Sequence, residues 1–377
     1  MNGHPWIFSG AIEKVEDGSD AAGVTDVLDS GGRWLARGLY NPRSQIRVRV
    51  LTWQDENIDQ AFLTRRLSQA ATLRKQQLPS SCSAYRLANG EGDFLPALVV
   101  DRYGDFLVVQ FFTAGMDSLR GVVVDALAAL FPAMGIYERS EGGVREEEGL
   151  ISSVGVLRGE EPPDLLQIEE HQLKFLVDIR KGQKTGFFLD QRENRLFLSM
   201  LARDKAILNC FAYTGAFSAY ALRGGARPVL SVESSRAALD LARQNLELNG
   251  LSASDGELVK ADVFSYLKQC KSAFDIVVLD PPSLAVKRAD VQPAAGSYKF
   301  LNLHALRLLK PGGMLLTFCC SQHLSLDLFQ KIIFGAAADS GRKVRLLKRL
   351  GHPVDHPVSL HHPEGEYLKG LLLNALE

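Results

Sequence analysis

Short apolar runs alternate with amphipathic helix patterns through the second half of the chain. Strands are predicted at 207–210, 229–233, 274–280 and 314–319, and another apolar run leads to Asp262. Helices are predicted at 235–249, 297–309 and 325–338, and strand-like runs at 343–350 and 368–376 complete the pattern. This alternation predicts a doubly wound α/β fold, a mainly parallel sheet with helices on both faces.

The first half of the chain has a different pattern. Strands bounded by turn residues are predicted at 24–28, 34–40 and 45–53, which indicates a small β-rich module. A helix is predicted at 58–77, and an α+β region follows over 85–174, with strands at 98–101 and 106–112 and a helix at 118–130. The charged run at 145–148, Arg-Glu-Glu-Glu, is typical of a solvated hairpin.

Composition narrows the class of protein. A chain of 377 residues can hold two or three domains, and 46% hydrophobic and 23% charged residues are typical of a globular protein. No apolar run reaches the roughly 18 residues of a membrane span, and the N-terminus lacks the apolar segment of a secretion signal. The five cysteines show no C-x-x-C spacing. We therefore expect a cytoplasmic protein without a metal site or a disulfide framework.

The segment 207–217 predicts a strand, a tight turn and the start of a helix, where such sheets bind ligands. A dinucleotide fingerprint needs several glycines so that the backbone can approach a pyrophosphate. Here Gly215 is the turn's one glycine, beside Phe211 and Tyr213, and Glu233 follows it by 18 positions. A carboxylate at that distance suits ribose hydroxyls. The pattern indicates a nucleoside without phosphates, which S-adenosylmethionine fits best.

Acidic residues follow three strands in series. We assign Glu233 to the ribose hydroxyls, Asp262 to the adenine amino group, and Asp280 to the place nearest the methyl donor and the acceptor base. The alternative is that each acid is a helix N-cap. That alternative suffices for one acid, whereas three in series favour a ligand site.

The loop that begins at Asp280 continues with Pro281-Pro282-Ser283, and the prolines hold the aspartate stiffly at the strand end. Methyltransferases that act on exocyclic amines commonly have an aromatic residue directly after such a motif. Ser283 in that place counts against amine methylation.

Two adjacent cysteines, Cys319 and Cys320, end the strand beside this loop. Neighbouring strand residues face opposite ways, so at most one thiol reaches the site. The alternative is that both are small buried hydrophobic residues. A thiolate at this edge would add to C6 of a pyrimidine and make C5 nucleophilic enough to be methylated.

The segment 182–195 combines Lys184 with aromatic residues, among them Phe187, that can stack on a nucleotide. Asp190 and Glu193 have the spacing of a capping box that opens a helix. We place Phe187 and Gln191 among the cofactor contacts. The alternative is a linker between domains.

Basic residues that we assign to RNA contact occur in two further places. The β-rich module contains arginines without intervening acids, and Arg47 and Arg49 alternate with apolar residues. The long loop predicted at 286–298 would be a lid or an RNA contact. The alternative for the arginines is an ordinary solvated sheet face. The predicted RNA contacts are Arg33, Arg37, Arg47, Arg49, Lys184, Lys287, Arg288 and Lys299.

With these residues in view, the chain resembles the ribosomal RNA large-subunit methyltransferase I family. The resemblance covers nearly the whole chain and rests on the sequences at 4–10 (HPWIFSG), 184–192 (KTGFFLDQR), 209–215 (NCFAYTG), 279–282 (LDPP), 317–321 (TFCCS) and 363–365 (PEG). It implies an RNA-binding PUA domain at 1–59, an α+β EEHEE-type domain at 60–180 and a Rossmann-like methyltransferase domain at 181–377. It also implies that Cys320, not Cys319, is the nucleophile, and that the protein forms a homodimer.

The chain departs from the family pattern at its start. The family usually carries an additional basic segment before His-Pro-Trp, whereas only Met-Asn-Gly precedes it here. We therefore expect the PUA module to lack an edge strand, which would leave its sheet edge open.

The resemblance implies an S-adenosylmethionine-dependent enzyme that makes 5-methylcytosine in large-subunit ribosomal RNA. Cys320 would attack the base and Asp280 would position it. Two alternatives stay open. One is a guanine N-methyltransferase on the same scaffold, which would not need Cys320. The other is an RNA-binding assembly factor with an inactive methyltransferase fold, which would not need to bind the cofactor.

Overall fold

A computed structural model of the chain describes residues 3–16, 20–251, 256–285 and 287–376. The chain forms two compact units. The first comprises residues 1–169, 177–189 and 354–365, and the second comprises residues 170–176, 190–353 and 366–377. Within the described ranges, no helix is both long enough and apolar enough to cross a bilayer.

The first unit contains two sheets. An antiparallel sheet has the order β1-β4-β3-β2, and a second has the order β5-β6-β7-β8-β9. The strands are β1 Trp6–Phe8, β2 Gly23–Leu28, β3 Trp34–Tyr40, β4 Ile46–Thr52, β5 Ala84–Asn89, β6 Leu98–Tyr103, β7 Phe106–Phe111, β8 Gly135–Ser140 and β9 Ser153–Gly159. The helices are α1 Gln60–Gln77, α2 Ala114–Ser118, α3 Arg120–Leu130 and α4 Gly143–Glu147. Leu63, Leu67 and Val123 from these helices belong to a core that includes Leu98 and Val109 of the second sheet.

The helix predicted at 118–130 corresponds to α3 Arg120–Leu130. The short helix α2, which Thr113 caps at its N-terminus, precedes it and is not among the predicted elements. One prediction for this unit is wrong. The run at 145–148 is not a solvated hairpin. It falls in and directly after α4, and Arg145 and Glu148 are buried because each is paired.

A short two-stranded sheet pairs β10 Leu166–Glu170 with β11 Leu173–Val177. His171 lies in the turn between these strands with a positive φ of 47°. Its Nδ1 lies 2.9 Å from the Tyr220 hydroxyl, so the histidine ring is hydrogen-bonded to a side chain of the helix Ala216–Arg223.

The second unit is built on a seven-stranded sheet with the order β14-β13-β12-β15-β16-β18-β17. The strands are β12 Ile207–Cys210, β13 Val229–Glu233, β14 Gly256–Lys260, β15 Phe274–Leu279, β16 Leu309–Cys319, β17 Val344–Leu350 and β18 Lys369–Ala375. The helices are α5 Arg192–Leu201, α6 Ala216–Arg223, α7 Arg236–Leu248, α8 Val263–Gln269, α9 Val291–Arg307 and α10 Leu326–Ser340. Strands β12 to β16 are parallel, and β18 is antiparallel to both of its neighbours.

The sheet has a hydrophobic core on each face. Ile207 packs into one core and its neighbour Leu208 into the other, as expected for successive residues of a strand covered on both sides. The prediction of a doubly wound α/β domain is confirmed. Because the strands are parallel, the ends of β12, β13, β14 and β15 lie at one edge, where the predicted site residues occur.

Helix α9 begins earlier than predicted, at Val291. Pro293 falls in its first turn, where a helix needs no intrahelical N–H donor, so the proline is tolerated there. The segment predicted as a long loop at 286–298 is therefore largely helical, and Val286 itself lies outside the described residues. The basic residues Lys287 and Arg288 lie at the short 3₁₀ turn before the helix.

Candidate active site

The turn after β12 contains strained backbone. Phe211, Tyr213 and Gly215 all have left-handed backbone, with φ values of 60°, 45° and 80°. This conformation is costly for the two aromatic residues, and such strain is typical of ligand sites. Helix α6 begins immediately afterwards at Ala216, so the turn presents a helix N-terminus at the sheet edge.

Glu233, the last residue of β13, holds this turn in place. Its Oε2 accepts a hydrogen bond from the Tyr213 N–H at 3.0 Å, and its Oε1 accepts one from the Ser235 N–H at 2.9 Å. The carboxylate is partly exposed and is oriented by backbone donors from two segments. Its assignment to the ribose hydroxyls stays a prediction.

Asp262 is an N-cap, as the alternative interpretation of the strand-end acids proposed. Its Oδ1 accepts a hydrogen bond from the Ser265 N–H at 2.9 Å at the start of α8. The residue is exposed, and a carboxylate oxygen has two lone pairs, so capping leaves it able to accept from a ligand. Its assignment to the adenine amino group stays a prediction.

Asp280, directly after β15, is bonded to a residue that the sequence placed in the same site. Gln191 Nε2 donates to Asp280 Oδ1 at 2.8 Å, and Asn194 Nδ2 donates to Gln191 Oε1 at 2.7 Å. Gln191 is the N-cap residue of α5, but its side chain makes no capping hydrogen bond. Asp190 was predicted to cap this helix, but the N-cap position belongs to the next residue, Gln191, so that prediction is wrong. The Asp190 Oδ2 instead accepts a hydrogen bond from the Tyr367 hydroxyl at 2.8 Å.

The two cysteines at the end of β16 have different surroundings. Cys319 is fully buried in the core that includes Leu279 and Leu371. Cys320 is partly exposed, and its thiol donates to the Pro281 carbonyl oxygen with an Sγ···O distance of 3.7 Å. Because Pro281 directly follows Asp280, the Cys320 sulfur lies beside the Asp280 loop.

The residue after this thiol is fixed by several hydrogen bonds. The buried Ser321 Oγ accepts from the Ala285 N–H at 3.1 Å and lies 3.2 Å from both the Ser283 and the Tyr298 hydroxyls. Burial raises the pKa of Tyr298, so that hydroxyl stays neutral. Ser283 thus joins the loop after Asp280 to the chain after Cys320.

Lys369, the first residue of β18, is a member of this site that the sequence interpretation missed. Its side chain is buried, and Nζ donates to the Ser321 carbonyl oxygen at 2.7 Å. The sequence feature that could have revealed this contact is Lys369 itself, a cation at the start of the apolar run 368–373. A lysine is buried only when it has a partner, so a cation in that position indicated a specific contact.

The first unit contains the remaining residues of the segment 182–195. Phe187 is buried, and its backbone N–H donates to the Tyr103 hydroxyl at 3.3 Å. Lys184 has a positive φ of 53°, and its Nζ lies 4.6 Å from the centre of the Phe188 ring. The Lys184 ammonium therefore makes a cation–π contact with the Phe188 ring. The assignments of Phe187 to the cofactor and of Lys184 to RNA stay predictions.

The four arginines of the β-rich module differ in exposure. Arg49 is 7% exposed and forms an ion pair with Glu148 at 3.0 Å, which leaves it no surface for RNA. Arg37 is held by Asp26 at 2.6 Å. Arg33 has an 80% exposed side chain although it pairs with Asp29. Arg47 is partly exposed and donates to a backbone carbonyl.

In the second unit, Lys287 and Arg288 are exposed, whereas Lys299 forms an ion pair with Asp339 at 2.7 Å. The described residues contain no cluster of three His, Cys, Asp or Glu side chains able to hold a metal ion.

The residues at the ends of β12, β13 and β14 fit a nucleoside cofactor. Thr214, within the turn, has a buried hydroxyl oxygen with no hydrogen-bond partner in the described part of the chain. Glu233 and Asp262 supply the acceptors that hydroxyl and amino groups need. The single glycine of the turn gives no pyrophosphate cradle. This donor and acceptor set therefore suits S-adenosylmethionine better than a dinucleotide.

Comparison with known families gives two matches along the chain. Residues 149–372 match the model of S-adenosylmethionine-dependent methyltransferases, and residues 1–53 match the model of PUA-like domains. The cofactor prediction is thereby confirmed. The finer boundaries at 59 and 180 stay a prediction.

Curated relatives match almost end to end. Ribosomal RNA large subunit methyltransferase I of Cronobacter sakazakii is 47% identical, over 99% of this chain and 96% of the relative. The protein of the same name from Klebsiella pneumoniae is 48% identical, over 99% of this chain and 94% of the relative.

Solved structures share the fold. A Streptococcus mutans protein described as a SAM-dependent methyltransferase superimposes with a TM-score of 0.85 at 25% identity, over 99% of this chain and 96% of that one. A methyltransferase complexed with SAH has a TM-score of 0.87 at 24% identity and the same coverage. With 47% identity over nearly its full length, the chain belongs to the ribosomal RNA large subunit methyltransferase I family.

Proposed function

We propose that this protein methylates C5 of a cytosine in large-subunit ribosomal RNA, with Cys320 as the nucleophile. The names of its relatives support large-subunit ribosomal RNA as the substrate. The observation that supports the chemistry is the position of Cys320, a partly exposed residue whose sulfur lies 3.7 Å from the Pro281 carbonyl oxygen beside Asp280. Cys319 is enclosed in the core and is not available for the same role.

The reaction needs a nucleophile because C5 of cytosine is not reactive enough on its own. The Cys320 thiolate forms a bond to C6, and the ring electrons move towards C5. The cofactor, when bound, supplies an electrophilic methyl group to C5. The C5 proton then leaves to a base, the S–C6 bond breaks, and its electron pair returns to sulfur, so that aromatic cytosine and the Cys320 thiolate are regenerated.

Asp280 is suited to orient the cytosine through its amino group or a protonated N3. Its Oδ1 is already bonded to Gln191, and the following prolines restrict the backbone, so the carboxylate is preorganised. Gln191 acts by positioning Asp280, since Asn194 in turn holds the Gln191 amide.

We propose that Lys287, Arg288, Arg33, Arg47 and Lys184 contact the RNA backbone. Lys287 and Arg288 are exposed close in sequence to Asp280, and phosphate contacts of this kind supply affinity without reading sequence. Arg33 stays among the proposed contacts because its side chain is 80% exposed although it pairs with Asp29. Arg37, Arg49 and Lys299 are each paired with a carboxylate and are less exposed than Arg33, so we leave them out of the proposed contacts.

The test is methyl transfer by the Cys320→Ala variant, with Cys270→Ala as control because Cys270 is also a partly exposed thiol. We expect Cys320→Ala to lose at least about a thousandfold in rate and Cys270→Ala to keep full activity. RNA containing 5-fluorocytosine should trap wild-type protein as a covalent adduct on the Cys320 peptide, since fluorine at C5 cannot leave as a proton does.

Mass mapping of the methylated RNA identifies the product. Retained methylation in Cys320→Ala would contradict the proposal, and N-methylguanine in the product would favour the guanine enzyme. Failure to bind S-adenosylmethionine in calorimetry would instead indicate an inactive assembly factor.

A further inference from the structure

The neighbouring side chains of Cys320 and Ser321 lie on opposite faces of the sheet. Cys320 packs against the core that contains Phe318. The Ser321 hydroxyl oxygen lies 3.2 Å from the hydroxyl of Tyr298, which belongs with Cys319 to the core on the other face. Ser321 is fully buried, so its hydroxyl does not reach a substrate on the thiol side. Any role for this hydroxyl in the reaction passes through the segments that it holds.

Asp280 lies on the same face as the thiol. Val278 of β15 belongs to the core on the Cys320 side, and successive strand residues alternate, so the residue two positions later returns to that face. Pro281 follows, and its carbonyl oxygen accepts a hydrogen bond from the Cys320 thiol at 3.7 Å. The two proposed reaction groups therefore come from different strands. Their spacing depends on how the loop after β15 lies against the end of β16.

This loop continues with Pro281 and Pro282, which have no N–H groups to bond to the end of β16. Beyond them, the Ala285 N–H donates to Ser321 Oγ at 3.1 Å. The Ser283 Oγ lies 3.2 Å from the same Ser321 oxygen. Two attachments of the loop therefore meet at one serine oxygen.

The hydrogen bonds around this oxygen form a closed set. A hydroxyl has one proton to donate and two lone pairs that accept. All the groups are satisfied when Ser321 Oγ accepts from the Ala285 N–H and the Tyr298 hydroxyl and donates its own proton to Ser283 Oγ. Ser283 then donates to the Ala285 carbonyl oxygen at 3.3 Å. Removing the Ser321 hydroxyl would leave donors from the loop and from α9 unpaired.

Ser321 is itself fixed to the sheet. Its carbonyl oxygen accepts a hydrogen bond from the buried Lys369 Nζ of β18 at 2.7 Å, and its nitrogen is bonded covalently to Cys320. Its backbone is therefore held by the strands, while its hydroxyl holds the loop. Ser321 joins the strand end that carries the thiol to the loop that carries Asp280.

We propose that Ser321 is a positioning residue whose hydroxyl sets the spacing between Asp280 and the Cys320 sulfur. Reacting groups must be placed closely, and a displacement of about 1 Å can cost about a hundredfold in rate. Asp280 orients the base that Cys320 attacks, so a loop that shifts against β16 moves the base away from the thiol. This inference rests on the proposed roles of Cys320 and Asp280.

The first test is methyl transfer by the full-length Ser321→Ala variant over a range of RNA and S-adenosylmethionine concentrations. We expect kcat to fall about thirtyfold and both KM values to stay within about twofold, because Ser321 contacts neither substrate. The control is Ser140→Ala, since Ser140 is also fully buried and its Oγ accepts from the Phe111 N–H at 2.9 Å. That variant should keep the wild-type kcat. Circular dichroism checks that each variant is folded.

The second test uses the exposed partner of the same contact. Ser283→Ala changes an exposed residue, so it should fold, and it should lower kcat about fivefold. Ser321→Ala combined with Ser283→Ala should be no slower than Ser321→Ala alone, because both changes remove the same link. Losses that multiply in the double variant would mean that the two serines act separately, which contradicts the proposal.

Hydrogen–deuterium exchange follows the loop without RNA or cofactor. The peptide that covers 283–285 should exchange about tenfold faster in Ser321→Ala than in the wild type, since the Ala285 N–H loses its acceptor. Wild-type exchange of this peptide, or an unchanged kcat in folded Ser321→Ala, would overturn the proposal. If that variant does not fold, an unchanged kcat in Ser283→Ala overturns it.

The positioning role and the nucleophile fail separately. Methylation by Cys320→Ala would remove the proposed nucleophile, yet the faster exchange of the loop in Ser321→Ala would still be observed. A wild-type kcat in Ser321→Ala would remove the positioning role, yet Cys320→Ala would stay inactive and the covalent adduct with 5-fluorocytosine would still form.

Discussion

Three residues of the turn after β12, Phe211, Tyr213 and Gly215, have left-handed backbone, but only the glycine adopts it without steric cost. A Cβ placed on Gly215 would lie 2.9 Å from the Cβ of Ala242 on α7. The glycine therefore serves two purposes, since it permits the φ angle and lets the turn approach the helix. Close helix packing, rather than a phosphate, is the reason for glycine here.

We expect Gly215→Ala to destabilise the protein more than Gly250→Ala. Gly250 also has a positive φ, of 65°, but a Cβ placed there would meet nothing within 4 Å. Both variants carry the backbone cost of about 1 kcal/mol, and Gly215→Ala adds a clash worth about 1–2 kcal/mol. Urea unfolding followed by circular dichroism measures the difference. Equal losses in the two variants would show that α7 moves away freely.

At the scale of single residues, the sequence indicated candidate site residues where a polar side chain directly follows a predicted strand. Glu233 and Asp280 are candidates from the sequence because an acid directly after an apolar run is conspicuous, and their roles stay predictions. Lys369 was missed because it opens an apolar run and its partner Ser321 is 48 positions away. Contacts of that separation are set by which strands pair, and that information is not in the local pattern.

Among the elements, α4 shows how a charged run can be buried. Arg145 of α4 donates to the Phe111 carbonyl and pairs with Asp117, and Glu148 accepts from both Asn41 and Arg49. Local charge density predicted solvent exposure. The error arose because the charged partners come from distant elements. Asp117 is 28 positions from Arg145 in sequence, so a local pattern could not show this pairing.

Glu148→Gln should destabilise the first unit by about 3 kcal/mol, because it leaves the buried Arg49 without its charge partner. Glu146→Gln is the matched control, since Glu146 lies in α4, two residues before Glu148, and is exposed. Thermal and urea unfolding compare the two variants with wild type. Equal, small effects would mean that Arg49 finds water or another acceptor when Glu148 is neutral.

For the molecule as a whole, net charge gave no sign of an RNA partner, because acids and bases nearly balance at −1. The positions of the exposed basic residues are more informative about RNA binding than the net charge of the chain. Lysines on α9 and α10 are cancelled by carboxylates, whereas Lys287 and Arg288 are exposed at the turn before α9. The order of elements was predictable because the alternation of strands and helices limits the topology. The ion pairs that neutralise individual lysines and arginines at the surface were not predictable in this way.

The double variant Lys287→Ala with Arg288→Ala should weaken binding to large-subunit ribosomal RNA. Two lost phosphate contacts should reduce the slope of log affinity against log salt by about 1.5. The control is Lys299→Ala with Lys331→Ala, because both of these lysines are ion-paired, to Asp339 and Asp327. Filter binding over a salt series measures both slopes. A similar fall in both would indicate general attraction rather than contacts at the 287–288 turn.

The strand order near the end of the chain also affects how the protein is made. β17 emerges from the ribosome before β18, yet β18 lies between β17 and β16 in the finished sheet. During synthesis β17 therefore stays unpaired until β18 has been made, and unpaired strands are prone to aggregate. This strand exposes three cationic side chains, Arg345, Lys348 and Arg349. Their charge would repel other nascent copies until β18 is made. β18 then completes both the sheet and the surroundings of the Cys320 thiol.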